Sequence, residues 1–136
     1  MRKAESVVYF FIMGLDQSAY KVKRKYAPTT KTETIRKTEI AYWRKHNALE
    51  GYLSNLYRTK TSDDGEFNCK TLQLDEDDLD TLEAVIKGGK LPETVGFFFG
   101  GCTKDSEEYK KIDLEFIEKA RKSIDNGYEI EYTSWW

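Results

Sequence analysis

Histidine occurs once in this chain, at His46, and cysteine and proline only twice each, at Cys69, Cys102, Pro28 and Pro92. A structural zinc site draws four ligands mainly from cysteine and histidine. One histidine and two scattered cysteines would fill it only with carboxylates added, so no metal is expected, and no other cofactor. The cysteines have neither the density nor the spacing of a disulfide scaffold, and no Cys-x-x-Cys pair occurs, which points to free thiols and a cytoplasmic setting. The chain also lacks charge of one sign: 22 Lys and Arg stand against 24 Asp and Glu, a net charge of −2. Strong duplex nucleic-acid binders carry a basic domain, so duplex binding is not expected. No apolar run approaches the about 20 residues that span a bilayer, so no membrane association is expected. The opening MRKAESVVYFFIMGL imitates a signal peptide, but Glu5 interrupts its basic part and no small-x-small cleavage site follows. A buried strand over Val7 to Ile12 is the better account.

At 136 residues the chain makes one domain, and 39% hydrophobic and 14% aromatic residues supply a core. Charge is unevenly placed: residues 1–60 carry 13 basic and 5 acidic side chains (+8), residues 61–136 carry 9 and 19 (−10). Gly14 to Lys23 alternates like a strand, with Tyr20 and Val22 in it. Thr32 to Tyr42 sets Thr34, Arg36 and Thr38 against Glu33, Ile35 and Lys37, the pattern of a hairpin partner. From Tyr42 the period lengthens: Tyr42, His46, Leu49, Leu53 and Leu56 mark a helix to about Arg58. FNCKTLQL reads as a strand. Asp75 opens an acid-rich helix turn ahead of Leu79, Leu82, Val85 and Ile86, and Gly88-Gly89 ends it. TVGFFFGG reads as a buried strand, Asp113 as the cap of a last helix over Leu114 to about Asp125, and YEIEYTSWW as a closing strand. The expected fold is α+β, one domain over residues 13–136. Its sheet is mixed or antiparallel, with about three helices mainly on one face, and residues 1–12 form an extension or an extra strand.

The richest chemical vocabulary is YWRKHN, Tyr42 to Asn47. Rings offer stacking faces to a base, Arg44 and Lys45 supply a planar fork and a point charge for phosphate, and a helix start adds backbone N–H groups. Tyr42, Trp43, Arg44, Lys45, His46 and Asn47 are therefore candidate ligand residues. The competing account places Tyr42 and His46 on the apolar stripe, Trp43 in a corner of the core, and Arg44 and Lys45 in solvent. His46 titrates in the range of a general base, yet no Ser, Cys or Asp stands at a diagnostic spacing to it. GFFFGG is neither a GxGxxG nor a Walker loop; Phe98 within it is either core or the wall of an aromatic pocket. Trp135 and Trp136 in a loose tail would be costly to expose, so they pack in the core, seal an interface or line a ligand site. Trp135 joins the candidates on that ground.

Four fragments in order, MGLD at Met13–Asp16, YWRKHN at Tyr42–Asn47, GFFFG at Gly96–Gly100 and the closing EYTSWW, resemble a family of small, mostly uncharacterised phage proteins. The resemblance covers about residues 13–136 and departs at Gln17-Ser18-Ala19, where the family has a more apolar strand opening. Proteins of this kind look like non-enzymatic sponges that sequester nucleotide second messengers of bacterial antiphage defence, usually as oligomers. The resemblance therefore implies a homo-oligomer in the host cytoplasm that holds a small nucleotide ligand, cyclic oligonucleotides among the candidates, without turning it over. An alternative is a protein-interaction module that binds a host factor; a third is a nucleotide-degrading enzyme with His46 as base.

Overall fold

The computed structural model describes residues 15–92 and 107–136. The expected strands over Val7–Ile12 and TVGFFFGG lie outside them. Four strands, β1 (Asp16–Ala27), β2 (Thr32–Arg44), β3 (Thr71–Leu74) and β4 (Glu129–Trp135), form one antiparallel sheet in the order β2-β1-β4-β3. Among the described residues three helices, α1 (Asn47–Thr61), α2 (Glu76–Lys87) and α3 (Glu107–Asp125), accompany the sheet in an α+β fold.

The helices share one face of the sheet, and the register shows why. Gln17 and Ala19 of β1 pair with Ser134 and Tyr132 of β4, and Leu72 and Leu74 of β3 pair with Tyr132 and Ile130. Directly paired residues point to the same side. All of these are buried, as is Trp43, the partner of Gln17 on β2. Ala19, Leu72, Leu74, Ile130, Tyr132 and Trp43 meet Leu49 and Leu53 of α1, Leu79, Leu82 and Ile86 of α2, and Phe116, Ile117 and Ala120 of α3 in one cluster. Trp43 sits at its centre, edge-on to Phe116 at 5.2 Å and to Tyr132 at 6.0 Å.

α2 begins where the sequence indicates. Asp75 accepts from the Asp78 amide at 2.8 Å, the Asp78 carboxylate accepts from the Asp75 amide at 3.0 Å, and the chain leaves the helix through Gly88 and Gly89, the latter at φ +65°. The other two helices differ from expectation. α1 starts at Asn47, not Tyr42: Tyr42, Trp43 and Arg44 continue β2 because Ser18, Gln17 and Asp16 hold them in the ladder. The strand turns into the helix at Lys45, whose φ of 60° is left-handed and whose amide donates to the Leu15 carbonyl at 2.9 Å. Asp113 does not cap α3, which begins at Glu107; it lies more than a turn inside the helix, and its carboxylate is buried.

Beyond Val22, β1 no longer pairs with β4, so β1 and β2 continue alone as a two-stranded arm, with every residue from Lys23 to Tyr26 and from Pro28 to Glu39 exposed. A bulge between Ala19 and Tyr20 leaves Ile40 as the extra residue of β2. It resets the alternation, so Trp43 and Ala41 share a side with Thr38, Arg36 and Thr34. Glu131 ties down the arm's root: buried on β4, it accepts from Arg24 Nη2 at 3.0 Å and pairs with Lys37 Nζ at 3.3 Å. Arg24 also pairs with Glu129.

Candidate functional site

The segment Tyr42–Asn47 is divided between the two faces of the sheet. Trp43 and His46, each 1% exposed, and Asn47 point into the protein. Trp43 Nε1 donates to Asp113 Oδ1 at 2.8 Å, and His46 Nε2 meets Asp113 Oδ2 at 2.9 Å. The His46 ring also lies 4.6 Å from that of Tyr109, whose hydroxyl donates to the Arg44 carbonyl. One carboxylate thus fastens α3 to the corner between β2 and α1.

A second buried network adjoins it. Gln17 accepts from the His46 amide at 2.8 Å and donates to the His46 carbonyl at 3.1 Å and to the Tyr132 hydroxyl at 2.9 Å. Tyr132 in turn donates to Glu50 Oε1 at 2.6 Å, and Ser134 donates to Oε2 at 2.7 Å. Burial pushes the Glu50 carboxyl above the ordinary range although both hydroxyls oppose the shift. Burial, and then the nearby Glu50 charge, push the Tyr132 phenol well above its usual value. These groups are enclosed and mutually satisfied, so they set the geometry of the corner rather than meet a solute.

Tyr42, Arg44 and Trp135 face the other way. Asp16 pairs with Arg44 on one side and with Trp135 on the other, while Ser18 pairs with Tyr42. Alternation puts all of them on the sheet face opposite the helices. Tyr42 is 48% and Trp135 66% exposed. The Tyr42 hydroxyl donates to Asp16 Oδ1 at 2.6 Å, and this bond is the main reason its phenol is raised. The Arg44 guanidinium stands 3.6 Å from the same oxygen, beyond a direct hydrogen bond, and stays half exposed. Two rings, a guanidinium and a carboxylate thus share three neighbouring strands. Lys45 stands at the corner beyond Arg44 and is half-buried.

Of the eight residues singled out from sequence, Tyr42, Arg44 and Trp135 come together on the open face. Trp43, His46 and Asn47 are on the buried side, Lys45 is at the turn between, and Phe98 lies outside the described residues. Asp16, which links the two rings and the arginine, is not among the eight, although it closes the MGLD fragment. Glu50 carried a sequence signal, since it follows His46 by four on the same helical stripe. A concavity of about 720 Å³ between α2 and α3 includes none of the eight; charged side chains such as Glu83, Lys87 and Arg121 line it, and these pair with one another. Among the described residues no three His, Cys, Asp or Glu side chains are grouped to hold a metal, and no helix is long and apolar enough to cross a membrane. No protein-family model matches the chain, and neither does any characterised protein or solved structure.

Proposed function

We propose that the chain is a non-enzymatic binding protein that sequesters a small phosphorylated nucleotide on the open face of its sheet, at Tyr42, Arg44 and Trp135. The observation that carries this is the shared rung Arg44–Asp16–Trp135 with Tyr42 hydrogen-bonded to Asp16. The rings offer stacking surfaces, the Arg44 fork suits phosphate oxygens, and Asp16 can accept from a ribose hydroxyl or a base amino group. β2 and β4 flank β1, and Tyr42 lies two residues along from the Asp16 rung, so the backbone positions that carry the two rings are about 12 Å apart. That is too wide for both to clasp one base, and it suits two bases joined by phosphates. A cyclic dinucleotide is accordingly the ligand class we favour.

Binding without turnover is supported by the enclosure of His46 and Asp113, which keeps the imidazole away from any ligand on the open face. The resemblance of MGLD, YWRKHN, GFFFG and EYTSWW to small phage proteins supports a role against nucleotide signalling in an infected cell's cytoplasm, with the chain acting as a homo-oligomer. Calorimetric titration with a panel of cyclic di- and trinucleotides and ADP-ribose derivatives tests the proposal. Saturable heat with one member, and its recovery intact by chromatography, is the expected result; no heat with any member overturns it.

A second reading is favoured by one fact: Tyr26, Ile35, Tyr42 and Trp135, the large hydrophobics that stand exposed among the described residues, all belong to this one face. A protein partner, a host factor or a second copy, would cover them together. Retention of a host protein on the immobilised chain, lost on Tyr26→Ser with Ile35→Ser, distinguishes it.

A further inference from the structure

We infer that the arm carries a second binding surface, for the phosphodiester backbone of a nucleic-acid strand, on the side away from Tyr26 and Ile35. From Lys21 to Glu39 the chain has seven basic and two acidic residues, a local charge of +5 within a protein of −2. The pairing sorts these charges by face. Lys21 pairs with Thr38, Lys23 with Arg36, Lys25 with Thr34 and Ala27 with Thr32. That face therefore holds four cations and three threonines and no carboxylate. Glu33 and Glu39 both fall on the opposite face, where they pair with Tyr26 and Tyr20. Arg24 and Lys37 are also there and are already engaged by Glu129 and Glu131.

Lys23 directly opposite Arg36 is a like-charge cross-strand pair, which by itself destabilises a ladder. Nothing among the described residues neutralises it. Lys23 Nζ donates to the Asn126 carbonyl at 3.2 Å, and the Lys21 and Lys23 ammonium groups sit 4.8 and 4.4 Å from the Tyr128 ring centre, contacts that leave the charge in place. Among the described residues Lys25 and Arg36, further out, have no ion-pair partner. A protein partner would need large apolar or aromatic anchors at the centre of the contact; the two strands of the arm put none on this face, and the Tyr128 ring at its root is already covered by Lys21 and Lys23. Cations at every second residue of a strand, interleaved with hydroxyls, instead match a run of phosphate oxygens. The surface is separate from the ring-and-arginine site, so either can fail without the other.

The test is fluorescence anisotropy of labelled oligonucleotides of about 20 residues, as single-stranded DNA, single-stranded RNA and duplex DNA, titrated with the full chain at several salt concentrations. Expected is micromolar binding whose log–log salt slope approaches about −3 on a single strand, from four phosphate contacts. The Lys25→Glu with Arg36→Glu variant, exposed and on the arm alone, should weaken binding at least about 10-fold and halve the slope. Tyr26→Ser with Ile35→Ser, on the other face, should leave it unchanged. The three probes distinguish single-strand from duplex backbone. Absence of binding at low salt overturns the inference, as does binding that the charge-reversed variant retains. Loss of self-association in that variant by light scattering, without oligonucleotide binding in the parent, would assign the face to a second copy's acidic surface instead.

Discussion

Trp43 and Asp113, seventy positions apart, are joined by a buried 2.8 Å hydrogen bond, and the other oxygen of the same carboxylate takes His46. Asp113→Ala would leave an indole and an imidazole N–H buried without an acceptor, at about 1–3 kcal/mol each. A loss of about 2–6 kcal/mol in urea unfolding is expected. Asp113→Asn, which keeps one acceptor, should lose less. Equal and small losses in both variants would contradict a fastening role for this carboxylate.

Glu50 gives the protein a pH dependence of unusual sign. Its carboxyl is raised from 4.5 by burial, so the folded state holds the proton more tightly than the unfolded chain does. The contribution is full below pH 4.5 and is lost as pH rises through the higher folded value. Glu50→Gln preserves hydrogen-bonding capacity towards Tyr132 and Ser134 and has no proton to lose. Its melting temperature should therefore gain on that of the parent as pH rises from 4.5 towards neutrality. A difference that stays constant across that range would show that Glu50 does not titrate there.

Asp63 acts in the opposite direction at lower pH. Lys70 at 2.9 Å, the Gly65 amide and the Tyr57 hydroxyl hold its carboxyl down at about 2 from 3.8. A depressed carboxyl stabilises above its unfolded value, and that support disappears as pH falls from 3.8 through about 2. Asp63→Asn should be less stable than the parent at neutral pH and converge with it in acid. Parallel acid-unfolding curves for the two would rule this out.

The sequence carries the local part of this fold. Asp75, Asp78, Gly88 and Gly89 define α2 within a few residues of chain, so they are readable in order. β4 is readable too, because Ile130, Tyr132 and Ser134 alternate in sequence with Glu129, Glu131 and Thr133. Tyr42 to Arg44 is ambiguous by itself: Tyr42, His46 and Leu49 fit helical spacing, and only pairing with Asp16–Gln17–Ser18 makes the segment a strand. Asp113 has the look of a cap because Leu114 and Ile117 follow it. Its actual partners, Trp43 and His46, come from the far side of the chain. The site follows the same pattern. Residue types in YWRKHN are visible in sequence, but which of them face outward depends on register, and Trp135 joins Tyr42 only through β1 between them.

Glu131 holds the arm at its root, with Arg24 and Lys37 converging on a side chain 7% exposed. Glu131→Gln should accelerate amide exchange over Lys23–Glu39 while leaving the core amides of α1 and α3 slow. The cost is on the order of 1 kcal/mol, since both cations are partly solvated. Uniform acceleration across all elements would mean that Glu131 supports the whole sheet rather than the arm.

Trp43 and Trp135 supply the most direct test of nucleotide binding, because one indole is buried at 1% and the other stands 66% exposed. In a nitrogen–proton correlation spectrum each indole N–H gives its own signal. Titration with cyclic dinucleotides should move the Trp135 signal in a saturable way, leave Trp43 in place and fail in Arg44→Ala. A Trp135 signal unmoved by every ligand of the panel, or moved equally in Arg44→Ala, would contradict a ring-and-arginine site on the open face of this sheet.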